Sequence, residues 1–525
     1  MQREKLRAAY LLLLATFVFA SSMAFGAGSQ EPKEPAVDRG LVVALSADVD
    51  YLDPNMSGHT TAQMLMTHVA DNLIRLKEGQ FVPWLAHSWE FSDDDRALTI
   101  QLRQGVRFHD GTPFNAEVVK LNFERMEWSV ASHFLYPELQ NIEVVDEYTV
   151  TLHFDEPYAA ILPHLAHPAM VMLSGEQVKE HFESGKHINE PIGTAAFVFT
   201  DWERGERLRF DRNPDYWADG PYVDSVTWRI IPDDSTRRVL LETKDVDVIM
   251  AVSPIDAAAL DERPDVTVSN TPSIRNVYIG MNVQAGPFDD VRVRQALNYA
   301  VDKKSIVEDL LLGAGSVTDS IVGPEVFGYC SKNPYPYDPE RARKLLDEAG
   351  YPDGFEATFF HPTGRYLEDA EIAEVVQFYL ADIGVSIKLE TMEWATYMSA
   401  LRAEVGDPAA DVPFDMFMWG WAPGTVDAHH GIRPLLHSES WPPQAFNVGY
   451  YSDDRVDRIL DQAVMAVDEQ ERRELYCEVI SLLWEDAPWI FLHIQNFVNA
   501  KLPDVHGIEY LGHEHLRVHE ARLDR

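Results

Sequence analysis

Cysteine is nearly absent from this sequence, since its 525 residues include only Cys330 and Cys477. Two cysteines exclude a disulfide framework, and a chain of this length does not need one to hold its core. Cys477 falls in the helical pattern RELYCEVISLLW, where a cysteine is typically a small buried apolar residue. A single bridge between the two cysteines stays open, because the sequence does not give the distance between them.

Positive charge is also scarce. Lys and Arg total 44 against 85 Asp and Glu, which gives a formal net charge of -41 at pH 7. Binding to nucleic acid depends on Lys and Arg neutralising phosphates, so this charge excludes a nucleic-acid partner. It predicts a solvated acidic shell, and a saline habitat is an alternative that the sequence leaves open. The length and the 46% of apolar residues predict a globular chain of at least two lobes.

Long apolar runs are missing except at the N-terminus. There, a basic segment with Arg3, Lys5 and Arg7 precedes YLLLLATFVFA, and Ala24-Phe25-Gly26 supplies small residues at positions -3 and -1. This pattern predicts a cleaved signal peptide over residues 1–26 and a flexible leader over 27–40, with an uncleaved anchor as the competing interpretation. No cysteine lies near the cleavage site, so we expect an exported periplasmic protein that is not a lipoprotein.

Catalytic signatures are missing as well. The sequence contains no G-x-S-x-G elbow, no Walker A loop, no G-x-G-x-x-G fingerprint and no H-E-x-x-H motif. In HEHLRVHE, near the C-terminus, His515 and His519 are four residues apart, and we expect a solvated tail there rather than a metal site. We therefore predict no catalytic residue, no metal and no cofactor, and an exported hydrolase is the remote alternative.

The remaining pattern is that of an α/β protein. ALTIQL and YTVTLHF alternate like antiparallel strands, and NAEVVKLNFERM between them predicts a helix capped by Asn115. Further along, helices such as PERARKLLDEAG alternate with strands such as EATFFH. FDMFMWGW predicts a strand that ends in a loop, with Trp419 pointing into the core.

Several segments together resemble the periplasmic binding proteins of peptide, nickel-chelate and opine ABC transporters, family 5. They cover most of the chain after the leader, in the family's order: WLAHSWEFSDDDRALTIQLRQGVRFHDGTPFNAEVVKLNFERM, PIGTAAFVFTDWERGERLRFDRNPDYW, FDDVRVRQALNYAVDKKSIV and YDPERARKLLDEAGYPDGF. Within the family, PSIRNVYIGMNVQAGPFDD, LAHPAMVML and RPLLHSESWPPQAFNVGYYSDDRVD look most like the glutathione-binding proteins.

The resemblance implies a two-lobed α/β fold of the Venus-flytrap type, class II or cluster C. Lobe I would span residues 41–280 with an extra subdomain at about 62–190, lobe II would span 281–498, and residues 499–525 would return to lobe I. The chain would cross between the lobes at residues 278–282 and 499–507. The expected partners are a small peptide and the ABC permease subunits of the inner membrane. A chemoreceptor is a compatible further partner, and a monomer is the family expectation.

The chain departs from the glutathione-binding pattern near the expected cleft. Val426-Asp427-Ala428-His429-His430 stands in place of a Gly-Glu-Ala-Asp-Trp run, Arg433 replaces a smaller residue, and Arg275 is shifted relative to the basic residue of the pattern. These departures count against glutathione as the ligand more than they count against peptides in general. The pair His429-His430 together with His437 keeps a nickel or metal-chelate receptor, or an opine-type one, as the alternative.

The chemistry of a zwitterionic peptide suggests candidate ligand contacts. Its ammonium needs an acidic group and its carboxylates need arginines. We predict Asp427 for the ammonium, Arg433 and Arg275 for carboxylates, and Trp421 and Trp441 for flat walls. The other members of the predicted site are Ser46 and Asp48, which follow the first strand, and His429, which lies beside Asp427.

Overall fold

The structure is a computed structural model that describes residues 40–525, apart from residues 78, 128, 130–135, 137–138 and 186. The predicted signal peptide and residues 27–39 of the predicted leader lie outside the described residues. Within the described part of the chain, no helix is long and apolar enough to cross a membrane.

The strands of the described residues, numbered in chain order, are β1 Gly40–Leu45, β2 Ile74–Lys77, β3 Gln80–Pro83, β4 Ala86–Phe91, β5 Ala97–Leu102, β6 Leu139–Asp146, β7 Thr149–Phe154, β8 Phe197–Glu203, β9 Arg207–Arg212, β10 Ser225–Ile230, β11 Val248–Met250, β12 Thr267–Met281, β13 Gly315–Val317, β14 Phe355–Pro362, β15 Val385–Met392, β16 Met416–Trp421, β17 Trp489–Lys501, β18 Val505–His506, β19 Glu509–Leu511, β20 His515–Arg517 and β21 Arg522–Leu523.

The α-helices of the same residues are α1 Thr60–Val69, α2 Ala116–Met126, α3 Ile161–Leu165, α4 Gly175–Ser184, α5 Asp234–Glu242, α6 Pro254–Asp261, α7 Val291–Ala300, α8 Lys303–Ser305, α9 Pro339–Glu348, α10 Asp369–Asp382, α11 Trp394–Leu401, α12 Ala428–Leu436, α13 Asp454–Met465 and α14 Glu469–Asp486. A π-helical turn, Ile306–Leu310, continues α8, and a 3₁₀ turn, Ser438–Ser440, follows α12.

Aspartates start many of these helices. Their carboxylates accept a hydrogen bond from a backbone N–H of the first turn at Asp233, Asp290, Asp302, Asp338, Asp427, Asp453 and Asp468. Helix N-termini favour negative charge, so part of the acidic excess lies where it stabilises the fold. The predicted cap Asn115 is confirmed, because its side chain accepts from the backbone N–H of Val118 at 3.1 Å.

One mixed sheet dominates the architecture, with the strand order β15-β14-β16-β12-β17-β11-β1-β10-β9-β8. The two longest strands, β12 and β17, pair antiparallel in the middle. Towards one end β17 pairs with β11, and towards the other end β12 pairs with β16. We call β1 and β8–β11 the first half of the sheet and β14–β16 the second half, so the chain passes between them twice.

The pairing of β12 with β17 is irregular between Pro272 and Asn276. Residues 267–272 of β12 pair with residues 496–501 of β17, and residues 276–280 pair with 489–494, beside the second half. Ser273 and Arg275 fall within the irregular stretch. The predicted crossings at residues 278–282 and 499–507 lie a few residues further along both strands, and the lobe boundaries stay predictions.

The region of the predicted subdomain has a sheet and a core of its own. Strands β4, β5, β7 and β6 form a four-stranded antiparallel sheet, and β2 pairs with β3. Phe114 and Phe123 belong to a buried cluster confined to this region. The predicted strands ALTIQL and YTVTLHF and the helix after Asn115 are confirmed as β5, β7 and α2.

The C-terminal segment is folded, so the expectation of a solvated tail at HEHLRVHE is wrong. His515 is buried in β20, and Leu516 and Val518 belong to the core cluster that includes the main sheet. The backbone N–H of Leu516 contacts the Met64 sulfur at 3.3 Å, which attaches the segment to α1. The sequence of this segment lacks a long apolar stripe because it contributes only a few apolar residues, such as Leu516 and Val518, to the core.

Cys330 and Cys477 form a disulfide. It joins the loop after β13 to α14 across 147 positions of sequence. Cys477 is only partly buried, so the expectation of a buried apolar residue is wrong at this position. The expectation for Trp419 is confirmed, because its side chain is buried in the core of the second half.

Candidate ligand-binding site

Loops that follow parallel strands approach each other where the two halves of the sheet join. β1 runs parallel to β10 and β11, and β14 runs parallel to β15 and β16. The loop after β1 leads to His59 and Thr60 at the start of α1, and the loop after β14 carries Arg365 and Tyr366. Open α/β sheets bind ligands at the carboxyl ends of such strands, which makes this junction the candidate site.

Arg275 links the two sets of loops. Its Nη1 donates to the backbone oxygen of Gly420 at 2.8 Å, and its Nη2 lies 3.4 Å from Thr60 Oγ1. Its charge partner is Glu514, which lies 2.6 Å from Nη2 and accepts from Nε at 2.8 Å. Burial alone lowers the pKa of Arg275, but Glu514 outweighs burial and raises it. Arg275 therefore already holds a carboxylate of this chain, and its role towards a ligand stays a prediction.

Glu514 fixes both crossing strands at their irregular stretch. Besides Arg275, it contacts Ser273 Oγ at 3.4 Å and accepts from Gln495 Nε2 at 3.3 Å. Burial alone raises the pKa of Glu514, but Arg275 outweighs this effect and lowers it. A backbone φ of +64° at Glu514 is uncommon for a residue with a side chain, and functional sites concentrate such positions.

Of the two arginines at this junction, Arg365 has fewer hydrogen-bond partners among the described residues than Arg275. Its guanidinium carbon lies 5.1 Å from the ring centre of Trp394 and 5.2 Å from that of Tyr366. Its Nε–H has no hydrogen-bond partner among the described residues. Burial, together with the charge of Arg275, lowers the pKa of Arg365. A carboxylate from a ligand would satisfy this guanidinium through charge-assisted hydrogen bonds.

His59 and Tyr366 complete the junction. Burial, reinforced by the charge of Arg365, lowers the pKa of His59 to about 4, so its imidazole is neutral at pH 7. The Tyr366 ring lies against Gly420, where a Cβ would come within 2.6 Å of it. His59 Nδ1 and the Tyr366 hydroxyl lack hydrogen-bond partners among the described residues. We call these side chains the junction site: His59, Thr60, Arg275, Arg365, Tyr366, Gly420 and Glu514.

A second contact lies between the start of α12 and the loop that contains α3. The ring centres of His167 and His430 are 5.3 Å apart, and those of His164 and His429 are 6.1 Å apart. Gly424 lies directly against His167, because a Cβ at Gly424 would fall 2.5 Å from Nε2 of the ring. We call His164, His167, His429 and His430 the histidine interface. It places α12, which follows the second half of the sheet, against the subdomain.

Asp427 is buried and caps α12. Its Oδ1 accepts from the backbone N–H of His429 at 2.9 Å and from Arg472 Nη2 at 2.8 Å. Its Oδ2 has no hydrogen-bond partner among the described residues. The carboxylate thus holds the helix and a buried arginine, while one oxygen keeps its lone pairs for another donor. Its predicted contact with a ligand ammonium stays a prediction.

Arg433 and Trp441 have partners within the second half. Arg433 forms ion pairs with Asp461 at 2.8 Å and Glu439 at 3.0 Å, and its side chain is 28% exposed. The Trp441 Nε1 donates to the backbone oxygen of Tyr451 at 2.9 Å. The structure places neither residue in the junction site.

Trp421 lies between the junction site and the histidine interface, to which His429 belongs. The Trp421 Nε1 donates to the backbone oxygen of His430 at 2.9 Å, and its ring packs beside Phe446. His429 faces the Tyr158 ring edge-on at 6.3 Å. Trp421 directly follows Gly420 of the junction site, so it lies next to the candidate ligand space.

Ser46 and Asp48 follow β1 as predicted, but the Asp48 carboxylate accepts hydrogen bonds from residues outside the junction site. It accepts from Trp202 Nε1 at 3.1 Å and from the Gly205 backbone N–H at 2.8 Å. It therefore holds the hairpin of β8 and β9 in place. Ser46 is partly exposed at the end of the strand.

The histidines form no metal centre in this arrangement. Among the described residues, no group of three or more His, Cys, Asp or Glu side chains is placed to hold an ion. The imidazoles contact one another by their rings, and His437 lies near Asp457 and Asp461 instead.

Sequence reasoning missed Arg365, His59 and Glu514. The only signal at Arg365 is its position just after a strand, in HPTGRY, and His59 lies well beyond the first turn after β1. Glu514 lies in the segment that the sequence suggested to be a tail. Their convergence depends on contacts between residues more than 200 positions apart, as in the pair Arg275–Glu514.

Residues 80–443 match the family described as bacterial extracellular solute-binding proteins, family 5 Middle. The glutathione-binding protein GsiB of Salmonella typhimurium is 34% identical over 492 residues, which cover 92% of this chain and 94% of the relative.

Two solved structures are similar over nearly their whole length. One is the periplasmic binding protein DppA of Helicobacter pylori, in complex with the peptide STSA. It has a TM-score of 0.82 and 26% sequence identity to this chain, and the match covers 93% of this chain and 98% of DppA. The other is a dipeptide-binding protein of Pseudoalteromonas, in complex with Met-Leu. It has a TM-score of 0.84 and 25% sequence identity, and the match covers 92% of this chain and 100% of that protein. The expected two-lobed α/β fold is confirmed.

Proposed function

Because the chain belongs to the bacterial extracellular solute-binding proteins of family 5, we propose that it captures a small peptide between two lobes, with glutathione as the specific ligand. Proteins of this family serve ABC importers, to whose permease they deliver the bound solute. The observation that carries the proposal is the junction site, where no described residue accepts a hydrogen bond from the Nε–H of Arg365, which lies between loops of the two halves.

The charges of a peptide fit the described side chains. A carboxylate would pair with Arg365, and Arg275 beside it would add a second positive group that Glu514 partly neutralises. No described residue donates a hydrogen bond to Oδ2 of Asp427, which supports the prediction that Asp427 is the partner of the ammonium. Burying these ligand charges unpaired would cost several kcal/mol each, so matched partners decide which ligands bind.

Glutathione is favoured by the 34% identity to GsiB over most of both chains. It is a tripeptide with two carboxylates and one ammonium, and Arg365 and Arg275 offer two cationic groups. The segment from Val426 to His430 departs from the glutathione-binding pattern, and it forms part of the histidine interface rather than of the junction site. We therefore expect it to affect closure more than recognition of the carboxylates.

We place the hinge at residues 273–275 and 495, where the crossing strands change their neighbours. A ligand that touches both lobes stabilises the closed state by its differential affinity. The contacts of Arg275 with Thr60 and of Gly424 with His167 join elements of both lobes, which supports closure about this hinge.

The remaining parts of the proposal concern location and partners. We expect export after cleavage behind Gly26, retention in the periplasm without a lipid anchor, and a monomer that docks on permease subunits. A chemoreceptor is a second partner for the closed form. We infer a binding protein without catalytic activity, in keeping with its relatives.

Thermal-shift screening of the mature protein tests the proposal. Reduced glutathione or a dipeptide such as Met-Leu should raise the melting temperature, and EDTA should leave the effect unchanged, because no ion takes part. At a ligand concentration 100 times the Kd, the stabilisation is about 2.7 kcal/mol. Stabilisation by nickel–histidine alone would favour the metal-chelate alternative, and cleavage of a peptide during incubation would favour a hydrolase.

A further inference from the structure

The histidine interface brings four imidazoles together from two sides of the cleft. His164 and His167 come from the loop around α3, and His429 and His430 open α12. All four side chains are buried. An imidazole that takes up a proton becomes a cation, which a buried position disfavours strongly unless an acid pairs with it.

Two of these imidazoles use a nitrogen lone pair that protonation would remove. His167 Nδ1 accepts from the backbone N–H of Ala169 at 3.0 Å, and His430 Nδ1 accepts from that of Thr425 at 3.4 Å. In a protonated imidazole both ring nitrogens are donors, so each bond would be replaced by two N–H groups facing each other. The loop around α3 and the segment before α12 therefore both rely on neutral histidines.

Of the described charged groups around His429, the cations disfavour its protonation and the acids are paired with arginines. On the side of α12 and α14, Arg433 and Arg472 both lower the pKa of His429, after burial. Asp427 is paired with Arg472, and Asp461 of α13 is paired with Arg433.

On the side of the subdomain and the C-terminal hairpin, the described neighbours include a tyrosine, a histidine and a paired glutamate. Tyr158 contacts His164 through its hydroxyl at 3.3 Å from Nδ1. His513 and His430 lower the pKa of His167, after burial. Glu514 of the same hairpin is paired with Arg275.

We propose that closure of the cleft is coupled to proton release, so that acidification opens the protein and discharges its ligand. This inference rests on the proposed function. The histidine interface exists only when α12 lies against the loop around α3, and opening would return its imidazoles to water. Proton binding to the open form then competes with closure.

The sign and size follow from linkage. An exposed histidine has a pKa of about 6.5, whereas burial lowers the pKa of His430 to about 3 and that of His167 far below its usual range. Closure is therefore fully favourable above about pH 6.5 and weakens as the pH falls below it. Between pH 7.5 and 5.5, each histidine weakens closure about tenfold, so His167 and His430 together weaken it about 100-fold.

A group elsewhere in the cleft titrates in the opposite sense at lower pH. Burial, with added repulsion from Glu371 and Asp234, raises the pKa of Glu368 above its usual value. Its protonation would favour closure, so the test stays at or above pH 5.5. Carboxylates of a peptide keep their charge over this range.

The test is calorimetric titration of the mature protein with reduced glutathione at pH 7.5 and 5.5. The parent should lose at least about 100-fold in affinity at pH 5.5. The double variant His167→Gln with His430→Gln should lose about 100-fold less than the parent, because glutamine does not titrate, while His429 stays titratable in both proteins. His87→Gln, at an exposed histidine of β4, is the matched control and should behave as the parent. A parent that keeps its affinity, or a double variant that loses as much as the parent, would overturn the proposal.

Failure of the proposed function is recognised separately. If glutathione does not bind at either pH, the same titrations with the dipeptide Met-Leu decide the question. Its affinity should fall from pH 7.5 to pH 5.5 about 100-fold more in the parent than in the double variant. The same change in both proteins, or no change in the parent, contradicts proton-coupled opening.

Discussion

Replacing Gly424 with alanine tests whether contact between the two lobes controls ligand binding. A Cβ at this position would lie 2.5 Å from His167 Nε2 and 2.8 Å from its Cδ2. The ring cannot swing away freely, because it is buried and its Nδ1 is held by Ala169. Gly424 does not have a positive φ, so alanine adds no backbone strain of its own.

The size of the effect follows from the overlap. Overpacking a filled contact costs about 1–3 kcal/mol. Because separating the lobes relieves this overlap, the cost falls on the closed state alone, and ligand affinity should drop about 5- to 150-fold. Calorimetric titration with reduced glutathione measures the drop. The melting temperature of the ligand-free variant should stay near that of the parent.

Gly286→Ala is the matched control. A Cβ there would have Asp289 Oδ1, at 3.8 Å, as its nearest contact. This variant should bind glutathione as the parent does. If Gly424→Ala also bound with parental affinity, the reasoning that ligand binding requires this contact would be refuted.

Three further predictions concern charge and covalent structure. Arg365→Gln should weaken peptide binding at least 30-fold in calorimetry, because a buried ligand carboxylate would lose its cation at a cost of about 2–5 kcal/mol. Circular dichroism should show an unchanged fold, and unchanged affinity would remove this residue from the site. Asp427→Asn should destabilise the ligand-free protein by about 3–5 kcal/mol in urea unfolding, since Arg472 would be left buried without its partner; parental stability would contradict that role. Reduction of the Cys330–Cys477 bond should lower the free energy of unfolding by up to about 5 kcal/mol, the value for a loop of 147 residues. An unchanged melting temperature in reductant would show that the bond contributes nothing to stability.

Local patterns could be predicted because they depend on neighbouring residues. The helix after Asn115 and the alternating strands β5 and β7 follow from capping and periodicity within short windows. The position of Trp419 in the core follows in the same way from alternation along β16. The resemblance to family 5 supplied the order of the segments and the two lobes.

The site could be predicted only in part, because its members meet through long-range contacts. Asp427 looked free in its loop, and nothing local indicates that Arg472, 45 positions later, pairs with it. Arg275 looked available to a ligand until the C-terminal hairpin placed Glu514 against it. Arg365 belongs to no motif, and its significance appears only in the folded chain, where no described residue accepts from its Nε–H.

The most direct test of the account is a crystal structure of the mature protein with reduced glutathione. A glutathione carboxylate should lie within about 3 Å of the Arg365 guanidinium, with further contacts from the loop that carries His59 and Thr60. A ligand that binds without touching Arg365, or that contacts one lobe only, would contradict it.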